Sequence, residues 1–205
     1  FYCCKGRSSC GYHIQQRSSG NFSYHTVINT PFLSEFYKDS DRYAFQTQLF
    51  FLLSRYKQQI EFQQLDIFTS SIVSDYMFMK DRIFASLNLN DKEMSLYDNV
   101  ALILEKNMIH PDLIIFLQSD TDRLMKNIKS RGRNYEMNMD WNYIDALNQI
   151  YNEFFFRYDK SPLLIINTND IDFVNDRNDL KEILGIIQRP INGTKYYNPN
   201  KSLKL

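Results

Sequence analysis

Four groups of side chains in this chain have types and spacings that could do chemistry. Gln48 and Arg55 stand seven apart in AFQTQLFFLLSR. A buried amide pairs bidentately with a ring edge, and an Arg fork reads paired acceptors, whereas on a solvated helix face the same residues would do neither. Asp75 and Asp81 follow in SDYMFMKDRIFA. A carboxylate at a strand's carboxyl end commonly faces metal and phosphate, the position Asp75 would take. Asp81 could instead cap the helix beginning DRIFASL. In KNIKSRGRNYE, residues 126–136, Arg131, Arg133 and Glu136 surround Gly132. Guanidinium forks on phosphoryl oxygens supply both positioning and charge, although cations in a last turn before glycine also make an ordinary helix end. LLIINTNDIDF ends on Asp172 and Phe173, where Asn and Asp are also simple turn formers.

These groups need elements to hold them. Residues 41–61 place Tyr43, Leu49, Leu52, Leu53 and Tyr56 at helical spacing, with Ser40 or Asp41 available as a cap. Further helical patterns cover 81–106, 121–129, 140–158 and 177–187. Apolar runs at 70–74, 113–118 and 163–168 read as buried strands. Such alternation predicts an α/β fold, a parallel sheet flanked by helices, with ligands at the strands' carboxyl ends: at Asp75, at Ser119 and after Thr168. The Phe154 to Phe156 run reads mainly as core. The polar tail, residues 191–205, is expected to be loosely held from Asn192 onward.

Composition excludes several classes. With 205 residues, 43% hydrophobic and 23% charged, one domain is the default. A formal charge of zero gives no global pull toward nucleic acid or an anionic membrane. No apolar run approaches the roughly 20 residues that span a bilayer. No His/Cys cluster has metal-ligand spacing, so no structural zinc site is expected. The three cysteines, Cys3, Cys4 and Cys10, form no distributed disulfide framework, and a reducing, cytoplasmic setting fits them. Composition breaks near Pro31: residues 1–30 hold every cysteine and half the glycines, while all 24 acidic residues come later.

From Pro31, PFLSEFYKDSDR with the helix after it, then SDYMFMKDRIFA, KNIKSRGRNYE and LLIINTNDIDF, the chain resembles a deoxynucleoside kinase of the bacterial purine-preferring type over residues 31–190. The resemblance implies a P-loop kinase-like three-layer fold that moves the γ-phosphoryl of ATP, with Mg2+, to a deoxynucleoside 5′-hydroxyl. It implies that Tyr37, Gln48, Arg55 and Asp81 hold the nucleoside and that Glu136 grips the sugar 3′-hydroxyl. Asp75 would face metal and phosphates, Arg131 and Arg133 would close over ATP, and Asp172 with Phe173 would wrap its adenine. It also implies a homodimer through the long helices. Tyr76 and Asn127 stand where the family often has Arg.

Residues 1–30 depart from the pattern, with no GxxxxGK[ST] loop to cradle phosphates and no carboxylate to serve as base. Back-translating Phe1-Tyr2-Cys3-Cys4 and reading one base later permits Phe-Ile-Val-Val and then a near match to the loop, so a frame shift is one explanation. Divergence into a non-catalytic protein and an artefact of the sequence are others. The chain as written is therefore expected to be inactive or impaired. The rival reading is a nucleoside-binding or dimer-forming pseudokinase; a thymidylate-kinase-like enzyme ranks last because no basic monophosphate pocket is evident.

Overall fold

Asp39 sets the start of the longest helix: its carboxylate accepts the backbone N–H of Arg42 at 3.3 Å, satisfying a donor that a helix start leaves open. The cap thus lies just before Ser40 and Asp41, the residues expected to supply it. The computed structural model describes residues 22–23, 33–63, 71–72, 77–106, 108, 110–132, 136 and 139–199. The single domain that length suggests resolves into two compact units, Gly20–Ile109 and His110–Leu205 with Phe1–Ser19.

The first unit is mainly helical: α1 (Leu33–Lys38), α2 (Ser40–Gln63), α3 (Lys80–Asn88) and α4 (Asp91–Glu105). Two short strands, β1 (Phe22–Ser23) and β2 (Ser71–Ile72), pair in parallel within it. β2 is the first of the expected strands, and β1 lies inside the compositionally distinct first 30 residues. Leu52 from α2 packs with Phe78 and Ala85 and with Tyr97 and Ala101 of α4, which makes the core of this unit. The one helix expected over 81–106 is broken, because Leu89 is extended and Asn90 starts a new helix. Asn90 accepts from the backbone N–H groups of Lys92 and Glu93, and Glu93 accepts from that of Asn90. This reciprocal box satisfies donors at the start of α4, while the Leu89 N–H closes the end of α3 on the Ala85 carbonyl. Arg82 then forks onto Asp98 at 2.8 and 3.1 Å, tying α3 to α4.

The second unit is a layered α/β sandwich. β3 (Ile114–Gln118), β4 (Leu163–Asn167) and β5 (Thr194–Tyr197) form a parallel sheet in that order. Three helices accompany it: α5 (Thr121–Arg131), α6 (Trp141–Phe156) and α7 (Arg177–Ile187). Side chains alternate along a strand, so each face takes a different helix. On one face Phe116 stacks on Phe155 of α6 with centroids 4.3 Å apart. On the other, Leu117, Leu164 and Ile166 pack with Ile183 and Ile186 of α7. β4 is consequently buried throughout its apolar run, as its unbroken hydrophobic sequence requires.

Two expectations are corrected here. Residues 194–197 are not a loose tail: they pair with β4, and Tyr197 donates a hydrogen bond to Glu182 of α7. Their polar sequence suits a strand with one neighbour and exposed side chains. Phe155 is buried, but Phe156 points outward and is 77% exposed, since consecutive helical positions face different directions. No helix among the described residues is long and apolar enough to cross a membrane.

Candidate functional site

Position in the helical repeat explains why α2 turns Gln48 and Arg55 inward. Gln48, Leu52 and Arg55 are spaced i, i+4 and i+7, which places them on one stripe of the helix. Leu52 is only 1% exposed, so this stripe faces the core of the unit, and the solvated-face alternative is overturned. Gln48 is 3% exposed, and its Oε1 is buried without a hydrogen-bond partner among the described residues. Burying an amide oxygen unpaired lowers stability, so this atom calls for a partner beyond the described residues. Arg55 is half-buried on the same stripe.

Asp81 is also buried, at 5% exposure. It does not cap α3: that position is Met79, with no side-chain cap bond, and Asp81 lies inside the first turn. A negative charge there is favoured by the helix dipole, which offsets part of the cost of burial. Its neighbour in α4 is Tyr97, whose phenol burial pushes well above its ordinary pKa, with the charge of Asp81 adding to the effect. Tyr37 lies on α1, and Glu35 belongs to the same helix. Asp75 and Arg133 lie outside the described residues.

In the second unit, the carboxyl ends of β3 and β4 meet through side chains. The hydroxyls of Ser119 and Thr168 share a hydrogen bond of 2.5 Å, and Thr168 also donates to the carbonyl of Gln118 at 2.9 Å. Asn148 of α6 donates to the Ser119 carbonyl at 3.1 Å, and Thr121 donates to Asp145 at 2.6 Å. Gln118 donates to Asn152, one turn further along α6. This polar stripe on α6, residues 145, 148 and 152, fixes the strand ends and the start of α5. Its i, i+3, i+7 spacing, on a helix whose buried positions are otherwise mostly apolar or aromatic, is the sequence signal for it.

Arg131 and Glu136 are brought together. Arg131 donates to one carboxylate oxygen through Nε at 2.9 Å and through a terminal nitrogen at 2.5 Å, and the side chains are 10% and 5% exposed. Gly132, at φ 65°, ends α5 in the left-handed region where glycine is favoured, so the C-terminal alternative holds alongside the ion pair.

Asp172 is engaged in its own turn. It accepts from the backbone N–H groups of Val174 and Asn175 and from the Asn175 side chain at 2.8 Å. These bonds, the side-chain one first, hold its carboxyl below the ordinary range. Phe173 packs against the core cluster of Leu164 and Ile183. The loop is held further by Arg123, an unanticipated tie, which donates to the Ile171 carbonyl at 3.0 Å. Among the described residues, no group of three or more His, Cys, Asp or Glu could hold a metal ion.

A parallel sheet with polar groups at its strand ends and helices on both faces defines an α/β protein of the three-layer class. The deoxynucleoside kinase family model matches residues 8–192, and the chain belongs to that family. It is 26% identical over 187 residues to the deoxyadenosine/deoxycytidine kinase of Bacillus subtilis, covering 87% of this chain and 85% of that protein. It is 24% identical over 193 residues to the deoxyguanosine kinase of the same organism, covering 91% and 92%. The deoxyadenosine kinase of M. mycoides with bound dATP superposes with a TM-score of 0.75 at 22% identity, covering 90% of this chain and 95% of that one.

The family match begins within the first 30 residues. Gly6 and Gly11 stand five apart, as do the two glycines of GxxxxGK[ST], but Tyr12 and His13 occupy the Lys and Ser/Thr positions.

Proposed function

We propose that this protein is by descent a deoxynucleoside kinase preferring purines, built to transfer the γ-phosphoryl of ATP to a 5′-hydroxyl with Mg2+. The observation that supports this most strongly is the unpartnered, buried Oε1 of Gln48 on the same inward stripe as Arg55. A base edge would satisfy it. Gln48 would pair with that edge, Arg55 and Asp81 would present donors and an acceptor, and Tyr37 would join them on the nucleoside; Glu136, in the second unit, is assigned to the sugar 3′-hydroxyl by the resemblance alone. The relatives are named for deoxyadenosine with deoxycytidine and for deoxyguanosine, so the purine preference rests on the Gln48, Arg55 and Asp81 assignment.

Asp75, three residues beyond the end of β2, would face Mg2+ and phosphate, since Mg2+ is held by one or two carboxylates plus substrate phosphates. Bound there, the metal would neutralise charge developing on the phosphoryl oxygens. Arg131 and Arg133 would stabilise the same charge, and Arg131 would have to share its fork with Glu136 or release it. Asp172 and Phe173 would flank the adenine of ATP.

We further propose that the chain as written is impaired in transfer. Without the loop lysine and the hydroxyl beside it, the phosphates lose a cation and the metal loses a ligand. No acidic residue precedes Glu35, which sits on α1, so the first 34 residues offer no carboxylate to serve as base. Incubation with ATP, Mg2+ and each of the four deoxynucleosides tests this. Weak or absent 5′-monophosphate formation is expected, and robust turnover would refute the impairment. Calorimetry separates the pseudokinase reading, which requires purine deoxynucleoside binding without ATP binding. A homodimer through the helices of the first unit is supported by exposed Leu53 on α2 and by Leu96, Leu102 and Ile103 on α4. Light scattering at twice the monomer mass would bear it out.

A further inference from the structure

Tyr97 is fully buried, yet its hydroxyl has no hydrogen-bond partner among the described residues. Phenylalanine would fill the same space without leaving a polar atom unpaired, so the oxygen needs a reason to be there. The packing suggests what it serves. Ala85, a member of the Tyr97 cluster, lies one turn after Asp81 on the same face of α3, and Phe78, just before the helix, belongs to that cluster too. The adjacent fork from Arg82 to Asp98 ties α3 to α4, and the charge of Asp81 reaches the Tyr97 phenol. The carboxylate and the phenol therefore share one low-dielectric space. Burial and the charge of Asp81 keep the phenol protonated, so that it can only donate toward that carboxylate.

We propose that Tyr97 is a positioning residue for Asp81: its hydroxyl, through an ordered water, orients the Asp81 carboxylate as the acceptor for the amino or imino hydrogen of a purine edge. A water fits the chemistry, because it would supply the bond that the hydroxyl lacks. This inference rests on the assignment of Asp81 to the base pocket. Tyr97 itself would touch no substrate atom.

The test is calorimetric binding to the full chain and its Tyr97→Phe variant, using the tighter of deoxyadenosine and deoxyguanosine beside 2′-deoxynebularine, a purine deoxynucleoside without an exocyclic group. Tyr97→Phe should weaken the first ligand about tenfold, the worth of one hydrogen bond to a charged group. It should leave 2′-deoxynebularine binding unchanged and the melting temperature unchanged or higher. Equal losses for both ligands would show a merely structural effect and overturn the proposal, as would no loss for either. Asp81→Asn separates the two levels of the reading. If it leaves purine binding intact, the pocket assignment fails and this inference with it. If it weakens binding while Tyr97→Phe does not, only the role of Tyr97 fails. The double variant should lose little more than Asp81→Asn alone, because the tyrosine acts through the carboxylate.

Discussion

Gln48→Leu should make the protein more stable and less able to bind. Among the described residues the Gln48 Oε1 is buried without a partner, while in the unfolded chain water satisfies it. Leaving such a group unsatisfied costs about 1–3 kcal/mol, and a leucine of similar volume removes that cost. A gain near 2 kcal/mol corresponds to a rise in melting temperature of roughly 4–8 °C for a chain of this size. The same substitution deletes both hydrogen bonds that the amide would make to a base and leaves the base edge unpaired. Together these cost about 3 kcal/mol, or roughly a hundredfold in affinity. Thermal melts with and without purine deoxynucleoside measure both effects on one sample. The variant should melt higher alone and lose the ligand-induced shift. If it melts lower by several degrees, the oxygen is paired in the folded protein and the pocket reading loses its main support. If it melts higher but binds as well as the parent, the orphaned oxygen has nothing to do with the ligand.

Other substitutions probe the second unit. Glu136→Gln leaves Arg131 buried without its counter-charge and should cost about 3 kcal/mol by chemical denaturation, and a loss below the error of the measurement would show the pair to be energetically idle. Gly132→Ala forces a side chain into the left-handed region and should cost about 1 kcal/mol, whereas an unchanged midpoint would mean that the turn relaxes freely. Asp172 has a folded-state pKa below its ordinary 3.8, so the stability it lends is present above that pH and is lost as pH falls through the lower value. Asp172→Asn should therefore flatten the acid limb of a melting-temperature profile, and identical acid limbs would refute the role of its turn.

Local signals made much of the fold legible, and long-range pairing hid the rest. α7 was readable to the residue, because its apolar stripe begins just after Asp176, which caps it by accepting from the Asn178 N–H. The break between α3 and α4 was equally local, in the Asn90 and Glu93 spacing, but was obscured by continuous apolar periodicity across it. β5 gave no apolar alternation, since TKYY is held by backbone pairing to β4 and stays largely exposed. In the candidate site, Gln48, Arg55 and Asp81 were chosen by resemblance, and only the structure shows that they face inward. The unpaired phenol of Tyr97 depends on which face of α3 meets α4, a fact that no spacing within one helix can express. Gly6 and Gly11 were visible all along, but the missing lysine and hydroxyl after them obscured the spacing.

The central claim, that this chain keeps a purine deoxynucleoside pocket, is tested most directly by calorimetric titration with deoxyadenosine, deoxyguanosine, deoxycytidine and thymidine. The account predicts saturable one-to-one binding of at least one purine deoxynucleoside and weaker binding of both pyrimidines. Binding of none of the four, or tighter binding of a pyrimidine, would contradict it.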